Sequence, residues 1–130
     1  MFRPLPLYDA HLYCCGPDEA RRLAPAQALY HFGAGLLALN ARDWIAAQRA
    51  FERAMELGHA DAERVASFRL WRARALDAAG QRTEAIVGYR SVGDGAADPA
   101  VIAAARKNTH APWRPRAVAI EWNMLDVAAP

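Results

Sequence analysis

The stretch Arg42-Asp43-Trp44-Ile45-Ala46-Ala47-Gln48-Arg49-Ala50-Phe51-Glu52-Arg53-Ala54-Met55 decides how the rest of the chain is read. Trp44, Ala47, Ala50, Phe51, Ala54 and Leu57 recur at the helical period and share one face. Gln48, Arg49, Glu52, Arg53 and Glu56 share the other. Apolar side chains on one side and charged ones opposite predict a helix that buries a stripe against a neighbour. Asp43 is placed to cap its first turn, and Gly58 stands where a chain leaving a helix needs a left-handed residue.

The same pattern returns 38 residues later. Ala47, Phe51 and Ala54 correspond to Ala85, Tyr89 and Val92 in Gln81–Val92, each set reading small, aromatic, small or branched. Upstream of each, Gly35 and Ala73 interrupt an apolar helix with a small side chain, which lets two antiparallel helices approach while the aromatic fills the space beside them. Working outward, Pro25 opens a helix to about Leu39, with Leu29, Phe32, Leu36 and Leu39 in phase. Asp61 caps a third helix to Ala79, which stops at Gly80. Thr83 opens a fourth that ends at Gly93-Asp94-Gly95, and Asp98-Pro99 starts a fifth through about Lys107. Residues 1–16 read as an irregular lead-in, followed by a short helix start at Pro17–Arg22. Pro112-Trp113-Arg114-Pro115 reads as a turn. Arg116–Val127 fits two patterns: Val118, Ile120 and Trp122 alternate as in a strand, while Val118, Trp122 and Leu125 fit a helix. A lone strand lacks a partner, so helix is preferred.

This organisation resembles the tetratricopeptide repeat, an all-α array of helical hairpins. The resemblance covers repeats at about 28–60 and 66–97 of a single domain spanning 1–130, with flanks 1–24 and 98–130, or about two and a half repeats in all. The second helix of each copy matches best. Positions that the family usually fills with buried apolar residues hold His31, Arg69 and Arg72, Phe68 and Trp71 being apolar one residue earlier. Neither copy has the proline expected after its second helix. The resemblance implies a protein that binds a polypeptide rather than an enzyme, an adaptor or a secretion-type chaperone. The family's concave groove falls here on Leu29, Phe32 and Leu36, then Ser67, Leu70 and Arg74. The Lys and Asn with which some members clamp a peptide carboxylate are not at these positions. What remains is an apolar strip with a basic edge, suited to an amphipathic helix or extended peptide. The competing reading is that these residues are core, covered by one of the terminal segments. So short an array exposes apolar edges. The flanks must then cover them, or a partner, or a second copy of the chain in a homodimer through Trp113 or Trp122.

Composition narrows the function classes. The 130 residues are 54% hydrophobic and carry a net charge of +2, and Lys107 is the single lysine. Arginines alternate with Asp and Glu along both repeats, so no basic stripe for nucleic acid is laid out, and the Ala/Arg skew matches the coding bias of a GC-rich bacterium. Leu23–Ala41 holds no Asp, Glu, Lys or Arg, a length sufficient to span a bilayer. Its Gln27, His31, Gly33, Gly35 and Asn40 favour a buried repeat helix instead. Cys14 and Cys15 are adjacent and poorly placed to pair with each other. With no secretory leader in view, a reduced, cytoplasmic protein is expected. His11, Cys14 and Cys15 form the one soft-ligand cluster, with His110 the only distant fourth ligand. A thiol- or metal-dependent protein is therefore an alternative reading, although no cofactor or metal site is expected. A regulatory helical domain of a larger system is another. No phosphate loop, nucleophile elbow or catalytic acid pair is present.

Overall fold

In a computed structural model, residues 26–94 and 98–125 are described. These described residues form five α-helices: α1 at residues 26–40, α2 at Trp44–Leu57, α3 at Ala62–Ala78, α4 at Arg82–Val92 and α5 at Pro99–His110. A short 3₁₀ turn follows at Trp122–Leu125. The fold class is all-α, as the periodicity predicts, and successive helices pack on one another: α2 on α3, α3 on α4, and α5 on α4 and α3.

Three of the caps are those named from sequence, while α4 begins at Arg82 behind Gln81 with no side-chain cap, not at Thr83. Asp43 accepts from the Ala46 amide at 3.2 Å, Asp61 from Glu63 at 2.9 Å and Asp98 from Ala100 at 2.9 Å, each satisfying a first-turn N–H that has no helical partner. The exit of α1 and the exit of α3 are built alike. Ala41, Arg42 and Asp43 donate to Leu37, Leu39 and Ala38; Ala79, Gly80 and Gln81, each 38 residues on, donate to Ala75, Asp77 and Leu76. The residue at the left-handed position is Arg42 in the first copy (φ 59°) and Gly80 in the second (φ 85°).

The helices within each hairpin approach as the small residues require. A Cβ on Gly35 would stand 2.4 Å from the Phe51 ring, and one on Gly88 2.9 Å from the Ala73 Cβ. Phe51 and Tyr89, the aromatics of the two copies, are both buried. Arg69 and Arg72, unexpected at core positions, lie half-buried at the edges of α3. Arg72 pairs with Glu52 of α2 at 2.9 Å, and Arg69 donates to the Ser91 and Asp94 carbonyls at the end of α4. Phe68, one residue before Arg69, is fully buried in its place.

The C-terminal segment departs from the helical reading. Pro112–Glu121 is irregular, with no turn at Pro112–Pro115 and no helix from Arg116. The segment instead runs back from α5 across α3 to α1. The Trp113 amide donates to Asp77 near the end of α3, Val118 is held by Asn40 at the end of α1, and the Met124 carbonyl accepts from Arg64 at the start of α3. Side chains and helix faces supply its partners, so it needs neither its own helical bonds nor a neighbouring strand.

Candidate functional site

Two apolar clusters divide the interior. The first joins Phe32, Leu36, Leu39, Phe51, Ala54, Phe68 and Trp113, with Val118, Ile120, Met124 and Leu125 of the C-terminal strap packed against it. The second joins Leu70, Ala73, Leu76, Ala85, Tyr89, Val92 and Ala105 between α3, α4 and α5.

This division decides what becomes of the six groove positions. Leu29, Phe32 and Leu36 lie in the first cluster and are buried; the Phe32 ring packs 5.1 Å from Phe68 and 5.7 Å from Phe51. Leu70 is buried in the second cluster. Ser67 is half-buried. Arg74 is buried too: its guanidinium lies 4.5 Å over Trp71 and 5.9 Å from Trp113, and its Nε donates to Asn108 Oδ1 at 3.1 Å. Burial lowers the pKa of this guanidinium to about 10, which leaves it charged at neutral pH. The six residues therefore do not line one open strip. The strap packs on the cluster that holds Phe32 and Leu36, and Leu70 is buried in the cluster formed with α4 and α5.

A carboxylate anchors the strap. The Asp77 side chain, 1% exposed, accepts from Arg82 at 3.0 Å, from the Tyr89 hydroxyl at 2.5 Å and from the Trp113 amide at 3.1 Å. Arg82 also donates to the Asn108 and Thr109 carbonyls at 2.7 Å, satisfying the end of α5. Burial, then the bond to Asp77, pushes the Tyr89 phenol well above its ordinary range. These partnerships hold four elements together: α3, α4, α5 and the strap.

The open surface lies one helical face away. A groove of about 740 Å³ runs between α1 and the strap, lined by Ala26, Leu29, Tyr30, Gly33, Ala34, Leu37, Ile120 and Leu125. Tyr30 is 73% exposed and Leu37 63% exposed. They are spaced by two turns and lie on the same side of α1, with Ala34 between them. All eight lining side chains are uncharged, and all but Tyr30 are wholly apolar.

The second hairpin shows what such a face ordinarily meets. Adding 38 to Tyr30 and Leu37 gives Phe68 and Ala75, both fully buried in the cluster they share with Phe51 and Ala54 of α2. In the second copy this face is covered by the preceding hairpin. In the first copy no helix among the described residues covers the equivalent face of α1; Leu125 of the strap packs on Gly33, while Tyr30 and Leu37 stay exposed.

The soft-ligand candidates His11, Cys14 and Cys15 lie outside the described residues, and His110 is exposed at the end of α5. Among the described residues no group of three or more His, Cys, Asp or Glu is placed to hold a metal, and no helix is long and apolar enough to cross a membrane. Trp113 is 5% exposed and packs edge-on against Trp71 at 6.0 Å. Compared with known proteins, the chain matches no family model, no curated protein and no solved structure.

Sequence reasoning passed over Tyr30, Ala34 and Leu37 because it followed the buried stripe of α1. The signal for them was the charge-free run Leu23–Ala41. A helix with one buried face normally carries charges on its other side. This one carries none, and along Ala26, Tyr30, Ala34 and Leu37 its outer face is largely apolar.

Proposed function

We propose that this chain is a non-enzymatic, tetratricopeptide-like interaction module, an adaptor or chaperone of a reduced bacterial cytoplasm, that holds the apolar face of a partner helix against α1. The observation that carries this reading is the groove between α1 and the strap beside Tyr30 and Leu37, uncharged along its length and covered by no helix among the described residues. The second hairpin supplies the physical precedent, because there a helix covers the corresponding face. The occupant would be amphipathic, with apolar residues at helical spacing toward Tyr30, Ala34 and Leu37. Phe32 and Leu36 are buried in one cluster and Leu70 in the other, so the surface proposed for the partner is the outer face of α1 instead.

Each buried anchor of this kind is worth roughly 1.5–3 kcal/mol, so losing one weakens binding by about ten- to a hundredfold. A photo-crosslinking residue at Tyr30, expressed in the native host, should capture a polypeptide that binds again when purified. Its affinity should fall by that factor in Tyr30→Lys and in Leu37→Lys, and stay unchanged in Val87→Lys, an equally exposed apolar site on α4. A purified partner that binds Tyr30→Lys and Leu37→Lys as tightly as the parent chain would remove the groove as the site.

A further inference from the structure

We propose that the cleft between α4 and α5 binds a small free oxyanion of the phosphate kind through Arg90, Arg106 and His110. The bound anion would take the place of a carboxylate that the first repeat supplies for itself. This cleft shares no residue with the groove on α1.

The two copies of the repeat differ at this junction. Between α2 and α3 it is lined by Glu52, Met55, Glu56 and Arg72, and the Glu52 carboxylate pairs with Arg72 at 2.9 Å. The 38-residue step turns Glu52 into Arg90 and Met55 into Gly93, both on the wall of the second junction. The caps Asp61 and Asp98 are one residue closer than that step, so Arg72 falls on Thr109 or His110, which both line it too. An acid has thus become a guanidinium, and Arg106 and His110 face it from α5. The methionine has become a glycine, and a Cβ on Gly93 would meet nothing within 4 Å. A cavity of about 240 Å³ results.

No Asp or Glu lines this cavity. Asp94, the counterpart of Glu56, is exposed and outside the lining, and Asp77, which the Tyr89 hydroxyl reaches, is already paired with Arg82. Arg53, Arg69, Arg72 and Arg82 each have an acceptor, whereas the side chains of Arg90, Arg106 and His110 have none among the described residues. Arg90 and His110 lie in the last turns of their helices, where the dipole favours a cation. That lowers the cost of gathering them but leaves their donors unused. Guanidinium forks match a phosphate or carboxylate two bonds at a time, and a divalent anion suits a site of several bases. The cavity is smaller than the roughly 300–1,000 Å³ of pockets for drug-sized ligands, which fits a compact ion.

The test titrates inorganic phosphate into the full chain at constant ionic strength, read by amide chemical shifts. Shifts at Gly93, Arg106 and His110 should saturate with a dissociation constant on the order of 1 mM, while Tyr30 and Leu37 do not move. Acetate should bind at least tenfold more weakly. Arg90→Glu restores the acid of the first copy, so it should weaken phosphate binding at least tenfold and melt above the parent chain in phosphate-free buffer. Arg49→Glu makes the same charge change at an exposed arginine of α2 and should bind within twofold of the parent. Arg90→Gln should lose at least fivefold, and it carries the test if Arg90→Glu does not fold. Shifts that rise without saturating, or an equal loss in Arg49→Glu and Arg90→Glu, would assign the effect to overall surface charge and overturn the site.

Discussion

Asn40 holds both backbone groups of Val118: its side-chain nitrogen donates to the Val118 carbonyl at 2.9 Å, and its side-chain oxygen accepts from the Val118 amide at 2.8 Å. The two residues are 78 apart in sequence, and this amide-to-backbone clasp fastens the returning strap to the end of α1. An ordinary hydrogen bond contributes about 0.5–1.5 kcal/mol net, and the site is exposed. Asn40→Ala should therefore lower stability by about 1 kcal/mol. Amide exchange at Val118 should accelerate at least fivefold, while exchange in α3 changes little. Unaltered exchange at Val118 would show that the clasp does not hold the strap.

Arg42 occupies a left-handed conformation that its counterpart Gly80 adopts without a Cβ. A side chain there costs about 1 kcal/mol. Arg42→Gly should raise stability by up to that amount in a denaturant titration, less what the looser unfolded chain gives back. Gly80→Arg should lower it.

Asp77 is the hub between α3, α4 and the strap. Removing its carboxylate leaves the Tyr89 hydroxyl and the Trp113 amide without this acceptor and Arg82 with the Asn108 and Thr109 carbonyls alone of its described acceptors. Breaking a buried pair of this kind is worth about 3–5 kcal/mol. Asp77→Ala should unfold at markedly lower denaturant concentration, and the fluorescence of Trp71 and Trp113 should shift to the red before α2 melts.

The outline of the fold was legible because the signals were local. The Asp43, Asp61 and Asp98 caps and the Gly58 and Gly80 stops each depend on neighbours within a few residues, and the 38-residue offset repeats such a local pattern. The strap was not legible, because Asn40–Val118 and Asp77–Trp113 join residues far apart in sequence. Pro112–Glu121 follows the surface it lies on, and no period within it reveals that. Among the groove positions the family register placed Phe32, Leu36 and Leu70 on one strip, but the structure assigns them to two clusters, since Leu70 turns toward α4 and α5. Arg74 read as a basic edge, and its burial between Trp71, Trp113 and Asn108 depends on the same unforeseen strap.

The phenol of Tyr89 gives a pH signature. Its folded pKa is raised by burial and by the bond to Asp77. The unfolded chain ionises this tyrosine near pH 10, before the folded chain does. The contribution is fully present below that pH and is lost as pH rises through and beyond it. Stability should thus fall above about pH 10, and Tyr89→Phe should flatten that fall. In the folded parent chain, ultraviolet titration should show Tyr89 ionising only on unfolding, a component lost in Tyr89→Phe.

The claim that the outer face of α1 is an interface is tested most directly by hydroxyl-radical footprinting of the full chain. The reactivities of Tyr30 and Leu37 are measured against Val87, exposed on α4, and against buried Tyr89. They are followed with and without the crosslinked partner added in purified form. The account predicts that Tyr30 and Leu37 lose reactivity together, at least threefold, while Val87 is unchanged. Tyr30 and Leu37 that stay as reactive as free surface residues with the partner bound would contradict it.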